Sequence, residues 1–183
     1  MMSISMVICL LIGLPLGLSL FLTNPKMKGH HLWLYWLLNF LVTVVRSFPY
    51  LLFVIALIPV TRSVLGKAFG PVPSSVPLSI VAIAIFARLV EQVLLDVPKE
   101  IGALANSLGT SRLQYVWYFL LVEARSGLVL AYTTTTVSMV SYSTVMGVIG
   151  GGGIGDFAVR VGYQRYEYGM MYVAIVIMIA LVF

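Results

Sequence analysis

Charge is scarce in this chain. Of 183 residues only 9% are charged, 11 Lys or Arg against 6 Asp or Glu, while 61% are hydrophobic and the mean hydropathy is +1.05. A water-soluble domain carries about 25% charged residues, so that class is excluded. Cysteine occurs once, as Cys9, which rules out a disulfide framework. His30 and His31 are adjacent rather than four apart and have no carboxylate nearby, so they read as an interfacial loop and not as a helical metal pair. The net charge of +5 is spread over loops and makes no stripe, so nucleic acid is not an expected partner. The glycine run Gly150–Gly153 is followed by Asp156, Phe157 and Ala158, where a nucleotide loop needs Lys and then Ser or Thr. With no nucleophile beside a base either, the chain is not expected to be an enzyme.

What is present is a set of long uncharged stretches. None of Asp, Glu, Lys or Arg occurs from Met1 to Pro25, between Arg46 and Arg62, between Lys67 and Arg88, between Arg125 and Asp156, or after Glu167. A bilayer span needs about 20 mainly apolar residues in a helix. The simplest partition is a single all-α membrane domain over 1–183, with five transmembrane helices near 4–22, 38–60, 75–95, 124–147 and 168–183. Residues 1–22 lack the charged start and small-residue cleavage site of a signal peptide and read as a retained helix. The first span starts almost at Met1, and the last apolar run reaches Phe183 without a charged flank. Both ends therefore read as truncated.

Several features inside this frame bear on function. Trp33, Tyr35 and Trp36 suit a membrane interface. In "RSFP" (46–49), Pro49 removes a helix donor and predicts a kink or helix start, and Arg46 must face protein or water rather than lipid. Arg88 and Glu91 stand one helical turn apart, either as a self-contained pair or as a contact to another helix or subunit. Pro98 suits the first turn of a helix and Gly109 the position just past its end. Between them Ile101, Leu104 and Leu108 share one face among small residues. A helix over 98–109 is too short to span. It either lies on the membrane or plugs a groove on a partner protein. The fourth span is hydroxyl-rich, with Thr133 to Thr136, Ser138, Ser141, Tyr142, Ser143 and Thr144. Those groups serve helix packing, or part of the face lines an aqueous path with Val145 and Met146 as an apolar constriction.

The order "FARLVEQVLLDVP", a short helix closing on Gly109, "LLVEA", and a span ending in "YSTVMGVIGGGGIGDFAVRVGYQR" resembles the type I permease subunit of bacterial ABC importers, in particular its methionine-importer branch. The resemblance covers essentially the whole chain. It implies a type I importer fold with five spans and a cytoplasmic coupling helix that docks in a groove of a separate ABC ATPase. That helix would use Glu100, Ile101, Leu104, Ala105, Leu108 and Gly109. Ala103 stands where the family motif has Glu, and Val122 where it has Pro; Glu100, one turn earlier, is the candidate replacement for the missing charge. The resemblance further implies a homodimer of permeases in the bacterial inner membrane. A periplasmic or extracellular substrate-binding protein would meet Asp156, Arg160 and Arg165, beside Gln164 and Glu167. The pathway and gate would involve Tyr142, Ser143, Val145 and Met146. No cofactor is expected in this chain; ATP and magnesium would reside in the partner ATPase.

With the coupling loop cytoplasmic, the start of the chain is outside, Lys26 and Lys28 fall inside, and Arg62, Lys67, Arg160 and Arg165 fall outside. Methionine is the expected substrate, and another amino acid is the alternative. An ion-driven secondary transporter would want paired carboxylates or broken helices at mid-membrane, and the acidic residues here sit near span ends.

Overall fold

A computed structural model describes residues 2–25, 32–67, 70–148 and 150–182. Lys26, Lys28, His30 and His31 lie outside the described residues. All regular structure among the described residues is helical. The helices are α1 (Met2–Thr23), α2 (Leu32–Ser47), α3 (Tyr50–Leu65), α4 (Pro71–Leu95), α5 (Lys99–Ser107), α6 (112–123), α7 (Arg125–Val148), α8 (154–163) and α9 (Tyr168–Val182). A wide π-type turn interrupts α1 at Cys9–Gly13, shortly before Pro15, whose missing N–H leaves the preceding turn a donor short.

The organising element is α4. Its 25 residues reach about 37 Å, enough to cross a bilayer. It packs against α1, α2, α3 and α7. Leu78, Val81, Ala82, Phe86, Val90 and Leu94 place a buried stripe along it, joined by Cys9, Phe21, Leu120 and Met139. The outward surface is apolar, with Leu11, Trp33, Val64 and Val176 exposed, as a lipid-facing protein requires.

By length and composition α1 and α4 are long and apolar enough to cross a membrane, and α2 with α3 passes the same test only as a pair, bent by 109° at the break between them. The expected span at 38–60 is thus two helices rather than one. Pro49 has no N–H to donate and disfavours helical backbone at Phe48, so the chain leaves α2 and restarts at Tyr50. The 24 residues of α7 are long enough to cross, but their hydroxyls dilute its apolarity relative to α1 and α4. The apolar helix Tyr168–Ala180 is shorter than a full span.

Candidate functional site

At one end of α4 the chain leaves the helical bundle through Asp96 and Pro98 and forms α5. Pro98 takes the N-cap position with an extended backbone, and Glu100 in the first turn complements the positive helix terminus. The other end closes in a Schellman arrangement. Gly109 N–H donates to Asn106 O at 3.0 Å and Thr110 N–H to Ala105 O at 3.2 Å. Gly109 adopts φ +67°, a left-handed conformation that costs glycine little. The helix predicted at 98–109 is therefore present, with its end set by the predicted glycine.

Its two faces differ. Ala105 is 1% exposed and turns toward the Tyr115–Leu120 segment of α6, while Gly102 lies beside the Tyr115 hydroxyl. Burial pushes the Tyr115 phenol above its ordinary value, so it remains a neutral hydroxyl. Ile101 is half-buried. Leu104 and Leu108 are 52% and 64% exposed, one turn apart, and Glu100, Ala103 and Ser107 are exposed around them. Two apolar knobs on a capped, seated helix are groups ready to enter a groove. Ala103, where the family motif has Glu, leaves that surface without a charge at its centre. Val122 is exposed on α6.

At the opposite end of α4 stands the glycine-rich segment. A Cβ on Gly147 would lie 2.0 Å from the Asp156 nitrogen, and one on Gly155 would lie 2.4 Å from Thr144 Cα. These contacts are backbone against backbone, so α7 and α8 cross where neither bears a side chain. The run is therefore a helix crossing joined by a tight turn. Asp156 is buried and accepts from Arg160, one turn along α8, whose side chain is 66% exposed. Arg165 is exposed with Gln164 and Glu167. Of the three predicted docking residues, Arg160 and Arg165 face outward, and Asp156 is turned inward as Arg160's partner.

Along α7 most hydroxyls bond back to their own helix. Thr133 donates to Val129 O at 3.0 Å, Thr135 to Ala131 O at 2.8 Å, Thr136 to Tyr132 O at 2.9 Å and Ser143 to Val140 O at 2.7 Å. Such bonds satisfy a hydroxyl without a partner helix. Val129, Leu130, Thr133, Val137 and Ser141 nevertheless share an exposed face. Tyr142, Ser143 and Val145 are half-buried. Met146 is 1% exposed within its own chain, where its carbonyl accepts from Gly151 at 2.8 Å. Of the two expected constriction residues, Val145 has free surface and Met146 does not.

Two groupings are completed by residues distant along the chain. Arg88 donates to Glu91 at 2.6 Å and also to Asn39 and Thr43 of α2, while Asn24 donates to the other oxygen of Glu91 at 3.0 Å. The expected i, i+3 pair is thus the centre of a clamp joining the C-terminal end of α1, α2 and α4, and Glu91, 2% exposed, is fully engaged. The second grouping is a cavity of about 460 Å³ at the α2–α3 break. It is lined by Arg46, Pro49, Tyr50, Ser138 and Tyr142 with Val81 and Ile85. Asn39 and Arg46, polar residues inside an apolar run, were the available signals for both.

Comparison with known proteins gives consistent results. Residues 4–183 match the family described as binding-protein-dependent transport system inner membrane component. A probable D-methionine transport system permease protein MetI of Vibrio cholerae is 40% identical over 171 residues, 93% of this chain and 76% of the relative. The corresponding Pasteurella multocida protein is 34% identical over 98% of this chain and 82% of its own length. Among solved structures, an inward-facing MetNI methionine ABC transporter superposes with a TM-score of 0.94 at 33% identity, over 99% of this chain and 84% of that one.

Proposed function

Because this chain belongs to the family of binding-protein-dependent transport system inner membrane components, we propose that it is the permease subunit of an ATP-driven importer of methionine. The observation that carries this reading is α5, a capped helix outside the bundle whose Leu104 and Leu108 point away from the chain that seats it. An ATPase groove accepts those two knobs, and closure of the ATPase on ATP and magnesium moves them. Methionine is the substrate of choice because the named relatives from Vibrio cholerae and Pasteurella multocida carry it in their descriptions.

The remaining roles follow from placement. Hydrolysis belongs to the partner ATPase, and this chain supplies the pathway. Two copies face one another across a two-fold axis, with the exposed α7 face and Val145 toward the path. Arg160 and Arg165, on the far side from α5, meet the substrate-binding protein. Uptake of radiolabelled L- and D-methionine into vesicles holding the permease, its ATPase and its binding protein tests the reading. ATP-dependent accumulation, competed by unlabelled methionine more strongly than by other amino acids, is expected. Absence of ATP-dependent accumulation, or a permease that purifies without an ATPase, overturns it.

A further inference from the structure

The cavity at the break in the second span has three properties that the coupling and docking surfaces leave unexplained. The first is its depth. Val81 and Ile85, which line it, stand ten residues from Pro71 and Leu95 respectively, about 15 Å from either end of α4, so the cavity lies midway across the bundle. The second is its charge. Arg46 lines it from the last turn of α2 and, among the described residues, has no carboxylate within ion-pair reach. A guanidinium at that depth is costly unless it faces water, a counter-charge or a ligand. The third is an orphan. The Tyr50 hydroxyl is buried with no hydrogen-bond partner, where buried polar groups are nearly always satisfied.

From these we infer that the cavity is a recognition site for the carboxylate of the transported amino acid, formed by Arg46 and the Tyr50 hydroxyl at the α2–α3 break. The inference rests on the importer reading above and adds a way-station inside the permease itself. The 109° bend supplies the rest of the chemistry. Tyr50, which lines the cavity, begins α3, and its own N–H precedes the first hydrogen bond of that helix, from Phe53 N–H to Pro49 O at 3.0 Å. The last turn of α2 leaves carbonyls that can accept from an α-ammonium. Tyr50 and Tyr142 meet with ring centroids 4.6 Å apart and planes tilted by 42°, an apolar wall against which a thioether packs well. The volume of about 460 Å³ falls within the usual range of about 300–1,000 Å³ for small-molecule sites.

The test uses the assembled permease–ATPase complex with Ser138→Cys as a reporter on the cavity wall. The native Cys9 is fully buried and gives a quiet background. Methionine is expected to slow reaction of the new thiol with a small methanethiosulfonate by at least about tenfold, the effect of one charge-assisted contact. The decarboxylated amine of methionine is expected to give no protection, Arg46→Gln to abolish protection by methionine, and Arg46→Lys to restore part of it. Tyr50→Phe, which keeps the ring contact with Tyr142, weakens protection by less than Arg46→Gln. Ile85→Cys replaces Ser138→Cys if the latter fails to assemble with the ATPase. Equal protection by methionine and its decarboxylated amine, or no protection by either, overturns the site. Uptake by the parent complex is measured alongside. If the parent takes up methionine and Arg46→Gln matches its rate, the site falls and the importer reading stands. If the parent takes up none, the importer reading falls first.

Discussion

At one end of α4, Gly109 turns the chain in open space, where a Cβ would meet nothing within 4 Å, and only its positive φ calls for glycine. At the other end, Gly147 and Gly155 have ordinary φ values, and each is needed because another backbone occupies the space a side chain would fill. The two ends therefore spend the same residue on different problems. One finishes a helix that must stand clear of the bundle, and the other locks two helices together. Their surfaces diverge accordingly. The α5 end offers two exposed leucines, Leu104 and Leu108, flanked by charges of both signs such as Lys99, Glu100 and Arg112, and the leucines suit burial in a partner, while the α8 end offers Arg160 and Arg165, suited to a looser, wetter contact.

Substitutions can break this contrast. The largest effect is expected from Gly155→Val, whose side chain would drive into the Thr144 backbone. It should destabilise the permease by about 3 kcal/mol or more, seen as loss of monodisperse protein in detergent; recovery of normal yield would remove the crossing as a structural requirement. Leu104→Asp should leave that yield intact and lower ATP-driven uptake by about thirtyfold, the cost of a central interface residue. Wild-type uptake by this variant would mean that α5 does not enter a groove. Gly109→Ala puts a side chain at a left-handed φ, costing about 1 kcal/mol, and should reduce uptake several-fold less than Leu104→Asp. Equal losses would show that the cap matters as much as the knobs. Smallest is Arg165→Glu, a rim charge, which should weaken titrated binding of the substrate-binding protein about two- to fivefold, and less at high salt. A salt-independent change would point to a buried contact.

Much of this was legible in the sequence because the signals were local. Charge-free runs marked α1 and α4, the two helices long and apolar enough to cross a membrane alone, and Pro98 and Gly109 bracketed α5 within a residue or two. Pro49 announced a discontinuity, though not a 109° one, since the angle depends on how α3 packs on α4 rather than on proline alone. What stayed hidden depended on partners distant along the chain. Asn24 meets Glu91 from 67 residues away and Asn39 meets Arg88 from 49, so no spacing rule could couple them. Burial of Met146 within its own chain was equally hidden, because hydropathy does not say which apolar side chain turns inward. The crossing at Gly147 and Gly155 was hidden because close backbone approach belongs to a pair of helices and cannot be seen in either one.

The junction between α6 and α7 has a mechanical consequence. The backbone ladder passes through Ala124, whose N–H donates to Leu120 O at 3.0 Å while its carbonyl accepts from Leu128 at 2.9 Å. Leu120 and Ala124 are both buried, so the joint is clasped from the side as well as along its axis. Any displacement of α6 therefore meets a buried, hydrogen-bonded joint, not an open turn, before it reaches the hydroxyl-bearing helix.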